Sequence, residues 1–148
     1  AAGTYLAGGG INVGGLQVTL GGLDTAIVKG ISGGWQTSFI LPSSGDVLVS
    51  FWYRLTQSPD YDFGELSQML VSLDGVMYGS GTNDYVAQIE GNGNGGIPES
   101  TGWQLFSVIV SGLYAGEHNL VIGGYNNQKS YTNETTEVLI DQVRISQP

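Results

Sequence analysis

The sequence predicts an all-β chain of sandwich or barrel type, and three observations carry that expectation. Its apolar residues alternate instead of recurring at helical spacing. Turn chemistry separates the apolar runs at short intervals. No stretch combines an N-cap, an amphipathic face of ordinary length and a C-cap.

The clearest strand is Asp46-Val47-Leu48-Val49-Ser50-Phe51-Trp52-Tyr53-Arg54-Leu55. Val47, Val49, Phe51 and Tyr53 fall on one face, and Leu48, Ser50, Trp52 and Arg54 on the other. Its β-branched and aromatic content suits a central strand. Comparable runs are 35–41, 68–73, 85–89, 103–110, 118–122 and 137–145, with weaker ones at 16–20 and 25–28. Asp74-Gly75 between two apolar runs reads as a tight hairpin turn. Pro42-Ser43-Ser44-Gly45 and Ala115-Gly116 also suit short connections. The glycine-punctuated start, with Gly8-Gly9-Gly10, Gly14-Gly15 and Gly21-Gly22, is expected to supply edge strands.

At 148 residues the chain is expected to be one domain, 1–148, with enough apolar sequence for a real core. Its formal net charge of −9 makes nucleic acid and anionic membranes poor partners, since both are bound through clustered cations. No apolar run is long enough to cross a bilayer as a helix. The absence of cysteine excludes disulfides and thiolate metal sites, and the excess of carboxylates favours hard divalent cations. The first residues show no basic-then-apolar leader, so any leader is expected to lie upstream or to have been removed.

A familiar order of segments runs through most of the chain. A Gly-Trp strand precedes ILPSSGDVLVSFWYRLT, then an acidic loop and LVSLDG. A second Gly-Trp strand, GWQLFSVIV, precedes GEHNLVIGGYNN and the closing TEVLIDQVRIS. This resembles the MAM-like and concanavalin-A-like jelly rolls of extracellular proteins, and the accessory modules of bacterial secreted enzymes and calcium-dependent adhesins. It covers about residues 35–146. The cysteines usual in MAM domains are missing, which favours a bacterial relative. The resemblance implies a two-sheet antiparallel jelly-roll β-sandwich with its chain ends close together. It also implies that Asp141, in Ile140-Asp141-Gln142-Val143, binds a structural calcium.

Three polar loops are candidates for binding, because a rigid sandwich would hold their ends. They are 58–65, 90–98 and 125–136. Asp60, Asp62 and Glu65 lie in the first loop and could give a Ca2+ ion three carboxylates; Asp141, a charge within an apolar strand, would be relieved by a cation nearby. Sugar rings stack their C–H faces on aromatic rings while amides, carboxylates and cations bond their hydroxyls. Tyr125, Asn126, Asn127, Lys129 and Tyr131 form such a set in the third loop, and Tyr61 and Tyr85 could join them. Asn92 and Asn94 lie in a Gly-Asn-Gly-Asn-Gly-Gly run whose bare backbone lets a ligand approach. Asn133-Glu134-Thr135 matches a glycosylation sequon, which a bacterial origin would leave unused.

Catalysis is not expected. His118 is the lone histidine and sits at a turn-to-strand entry. There is no Gly-x-Ser-x-Gly elbow, and a cysteine nucleophile is impossible. The expected function is therefore a secreted or cell-surface, calcium-dependent carbohydrate-binding module, monomeric within a larger multidomain chain. The alternative is a protein- or peptide-binding adhesion domain of a large calcium-dependent surface adhesin.

Overall fold

Alternation in the central strand becomes layering in the computed structural model, which describes residues 1–22, 27–93 and 95–148. Val47, Val49, Phe51, Tyr53 and Leu55 are all buried, and the residues between them are half-buried on the opposite face. Eleven strands are present in the described residues: β1 (Ala2–Leu6), β2 (Gly15–Gly21), β3 (Val28–Leu41), β4 (Gly45–Gln57), β5 (Leu66–Leu73), β6 (Val76–Tyr78), β7 (Ala87–Glu90), β8 (Glu99–Ser100), β9 (Gln104–Leu113), β10 (Gly116–Lys129) and β11 (Thr135–Ser146). None of the described residues is helical.

The first sheet runs β1-β2-β11-β4, with β8 and β9 together along the far edge of β4. The second runs β3-β10-β5, with β6 and β7 along the far edge of β5. Every pairing is antiparallel. The partnerships are nested: β2 with β11, β3 with β10, β4 with β9, and β5 with β6 and β7. The chain crosses between sheets at each level. This is a jelly roll, a long antiparallel ribbon rolled into two layers.

Its core is the contents of both inner faces. Phe51, Phe106, Leu55, Val49, Val110, Val138 and Ile140 come from the first sheet, and Met69, Val71, Leu73, Leu120 and Ile122 from the second. Phe51 makes ring contacts with Tyr53 and Phe106. One close approach within the second sheet depends on a glycine. A Cβ on Gly123 would lie 2.2 Å from the Gly33 carbonyl oxygen, so no other residue lets β10 and β3 meet this way.

The predicted runs all lie in or overlap these strands, though residues 25 and 26 of the run 25–28 lie outside the described residues. β1 and β2 are the expected N-terminal strands, with β1 at the sheet edge. Asp74 and Gly75 join β5 to β6, both with positive φ, as a type I′ hairpin turn requires. The chain ends do not meet. Ala2 pairs with Thr19, which pairs with Glu137, whereas Ser146 lies nine residues further along β11. At about 3.3 Å per residue that is roughly 30 Å along the strand direction.

Candidate functional site

Strand direction gathers the polar loops. β4 ends and β5 begins at the same end of the sandwich, as do β10 and β11, so loops 58–65 and 130–134 are neighbours there. Residues 91–93 and 95–98 follow β7, which pairs with the beginning of β5, and reach the same end. Backbone hydrogen bonds tie the three together. Gly93 N donates to Tyr61 O, Gly91 N to Glu65 O, and Ser58 N to Thr135 O. Between them lies a depression of about 250 Å³, lined by Asp60, Asp62, Gly93, Gly95, Tyr131 and Glu134.

Beneath the depression the interior turns polar. The Tyr61 phenol shares a hydrogen bond with Thr136 Oγ1, which shares another with Ser67 Oγ. Gln57 Nε2 donates to Ser67 Oγ at 2.9 Å and to Glu65 O at 3.2 Å. All of these side chains are buried. Burial pushes the Tyr61 phenol up to about 12. Such a network holds the loops in one arrangement when it is satisfied.

Two buried oxygens in this region lack a partner, Asn126 Oδ1 and Glu134 Oε1. Glu134 is 0% exposed, and its Oε2 accepts from the amides of Ser130 and Tyr131, closing the 130–134 turn. Its Oε1 is buried with no hydrogen-bond partner. Burial raises its carboxyl above the ordinary range, opposed by the amides of Tyr131 and Ser130 and by Lys129. A buried carboxylate oxygen left open is a donor of the kind a hard cation takes. Among the described residues no three His, Cys, Asp or Glu side chains are grouped to hold a metal, so a cation here would draw further oxygens from backbone and water.

The four predicted calcium ligands do not share one place. Asp60 and Asp62 are exposed and line the depression. Glu65 is turned inward: its Oε2 accepts from Asp62 N at 2.8 Å, and its Oε1 from Gln128 Nε2 at 3.3 Å. Asp141 lies six residues from Thr135 along β11, roughly 20 Å at the usual strand rise. Its Oδ2 accepts from Ile11 N at 2.9 Å and its Oδ1 from Gln142 N at 2.7 Å, so backbone amides already offset its burial.

The predicted sugar contacts also separate. Tyr131 stands at the depression, 67% exposed. Tyr61 is fully buried and offers no ring face to a ligand. Asn126 and Lys129 are buried too, with Asn126 Nδ2 donating to Leu66 O and Lys129 Nζ to Tyr131 O. These residues belong to the strand and not to a loop, because β10 runs on to Lys129 with its inward polar residues in the buried network. Asn127 binds Leu66 N and Gly64 O, fastening the first loop to β10. Tyr125 is half-buried on the outer face of the second sheet, and Tyr85 lies in the β6–β7 connection, also half-buried. Asn92 Nδ2 donates to Glu99. Asn94 lies outside the described residues.

Two residues at the site were not singled out from sequence. Glu134 sat inside the sequon match, and Phe63 sat unremarked in the acidic loop. Phe63 is exposed, and its ring would meet a Cβ on Gly93 at 3.4 Å, which places it beside the depression. His118 is at the opposite end. Its Nδ1 pairs with Asp74 Oδ2 at 2.6 Å, and its Nε2 donates to Tyr114 O at 2.7 Å.

The chain matches no known protein family and no curated protein. Among solved structures it is similar to TmCBM61, determined in complex with beta-1,4-galactotriose, at a TM-score of 0.49 and 12% identity, covering 99% of this chain and 83% of that one. It is also similar to the CBM35 of Paenibacillus barcinonensis, at a TM-score of 0.32 and 8% identity over 100% of each chain.

Proposed function

We propose that this chain is a non-catalytic, extracellular carbohydrate-binding module whose site is the three-loop depression. The observation that carries this is the rim: exposed aromatic rings, Tyr131 and Phe63, beside the exposed carboxylates Asp60 and Asp62 and the bare backbone of Gly93 and Gly95. An aromatic face takes the C–H face of a sugar, and carboxylates and carbonyls accept its hydroxyl protons. Drug-sized ligand pockets enclose about 300–1,000 Å³. A depression of about 250 Å³ suits a terminal ring better than a long buried chain.

Calcium is the cofactor in this reading. Glu134 would supply one carboxylate oxygen to it, with Asp60 or Asp62, backbone carbonyls and water completing six to eight oxygens. The open Oε1 of Glu134 supports this assignment. The ion would fix the loops and remove the cost of a buried charge.

A glycan array with millimolar calcium and with chelator tests the proposal. Binding of a defined glycan, at least tenfold weaker in Tyr131→Ala, is expected. No glycan bound at millimolar calcium would overturn it. The exposed tips Phe63 and Ile97 favour a second reading, a protein partner at the same loops. That reading predicts binding to a protein ligand by a chain that ignores every glycan.

A further inference from the structure

The edges of the two sheets are unequally protected. Exposed edge strands invite pairing with another strand, and proteins blunt them with charge, proline, bulges or short length. β1 is five residues long, β6 three and β7 four. β3 carries Lys29 and a positive-φ Gly30. β9 has none of these defences over Gln104–Val110, where it pairs regularly with β4; its irregularity comes later, beyond Val110 and at Gly112. Among the described residues β4 is its one strand partner. The segment 100–116 contains no charged residue and no proline, in a chain of net charge −9.

We propose that β9 pairs with β9 of a second copy, antiparallel about Ser107, joining two first sheets into one. The sequence is self-complementary about that residue. Ser107 is the midpoint of the regular stretch 104–110. Along β4 and β9 the outer face presents three rows: Leu48 with Ile109, Ser50 with Ser107, and Trp52 with Leu105. Leu105 and Ile109 are 54% and 58% exposed. A two-fold axis at Ser107 sets Leu105 opposite Ile109 of the partner subunit, and Ile109 opposite Leu105 of the partner subunit. Each apolar row then runs from Trp52 to Leu105 and on to the partner subunit's Ile109 and Leu48, with serines between the rows. Opposed apolar pairs at this spacing stabilise a ladder.

No charge on the edge strand itself opposes a second copy. Arg54 and Arg144, two of the chain's four cations, lie on β4 and β11 in the same sheet, registered opposite outer-face positions Leu139 and Ser50. Arg54 is itself paired with Glu137 at 3.5 Å, so it adds no uncompensated charge to this face. The pairing departs from the monomer expected from the sequence, and it leaves the three loops free.

Sedimentation velocity of the 148-residue chain from micromolar to millimolar concentration tests the proposal. A concentration-dependent dimer is expected. Ser107→Asp and Ser107→Lys each place like charges on the axis, and each should weaken dimerisation at least tenfold while keeping the wild-type melting temperature. Mixing the two should restore a one-to-one heterodimer, because the axis then joins opposite charges. A chain that stays monomeric to millimolar concentration overturns the pairing. So does a dimer that persists undiminished in both variants, or a mixture that stays monomeric.

Discussion

The two ends of the sandwich handle a carboxylate differently. At the turn end, Asp74 spends one oxygen on the His118 ring and the other on the Asn119 amide at 2.8 Å. His118 in turn bonds the Tyr114 carbonyl. The three connecting residues on this route close on one another. At the loop end, Glu134 is more deeply buried and yet keeps one oxygen open. Asp74 is stabilised in its charged form, and Glu134 is pushed toward its neutral one. Asn119 Oδ1 at the turn end also lacks a partner, but it is a neutral amide oxygen; among the described residues only Glu134 leaves a buried carboxylate oxygen open.

The core between the ends sets the largest expected effect. Phe51→Ala removes a fully buried ring and should cost about 3–5 kcal/mol, melting both ends together and gaining no more from calcium than the wild type does. Denaturant unfolding followed by circular dichroism measures it. A loss confined to one end would break the picture of a single core.

Glu134→Ala should cost less, about 1–3 kcal/mol, since it orphans the amides of Ser130 and Tyr131. The sharper readout is calcium. The wild type should melt higher as calcium exceeds its dissociation constant, and Glu134→Ala should lose that rise. Retention of the full rise would remove Glu134 from the ion's ligands.

The turn end should respond to pH instead. Its hydrogen bond to Asp74 raises His118 above the ordinary 6.5. The folded state therefore gains stability that is complete below 6.5 and lost as pH rises through the raised value. Bonding to His118 lowers Asp74 below 3.8, so its contribution is present above 3.8 and lost as pH falls through the lowered value. Melting temperature from pH 5 to pH 9 should decline on the alkaline side, and Asp74→Asn should flatten that decline. An unchanged slope would detach the pair from the pH response.

Smallest of all is the expected effect of Tyr131→Ala on stability, within about 0.5 kcal/mol, because the side chain is exposed. Thermal melting checks it. A larger loss would make Tyr131 part of the loop framework and weaken its assignment to the rim.

Strands were legible because an apolar inner face imposes period two, as in Val47, Val49, Phe51 and Tyr53. That signal stops where the inner face becomes polar. Asn126 and Lys129 have loop-like composition but occupy strand positions, since their burial is paid by hydrogen bonds that sequence does not display. Loops 58–65 and 90–98 were legible as strand connections, but their gathering at one end rests on strand pairing that sequence does not display. The choice among the carboxylates was not legible either. Whether Glu65 or Glu134 keeps a free oxygen depends on which amides reach it, and those amides come from turns and neighbouring strands.

The separation of the chain ends has a mechanical consequence. Ala1 lies beside the three gathered loops and Pro148 at the turn end, while β1 and β11 run in the same direction on either side of β2. A pull on the two termini therefore loads the β1-β2-β11 ladders in shear. Many hydrogen bonds share the force at once instead of opening singly from one end, which is the geometry that lets a small domain hold under tension.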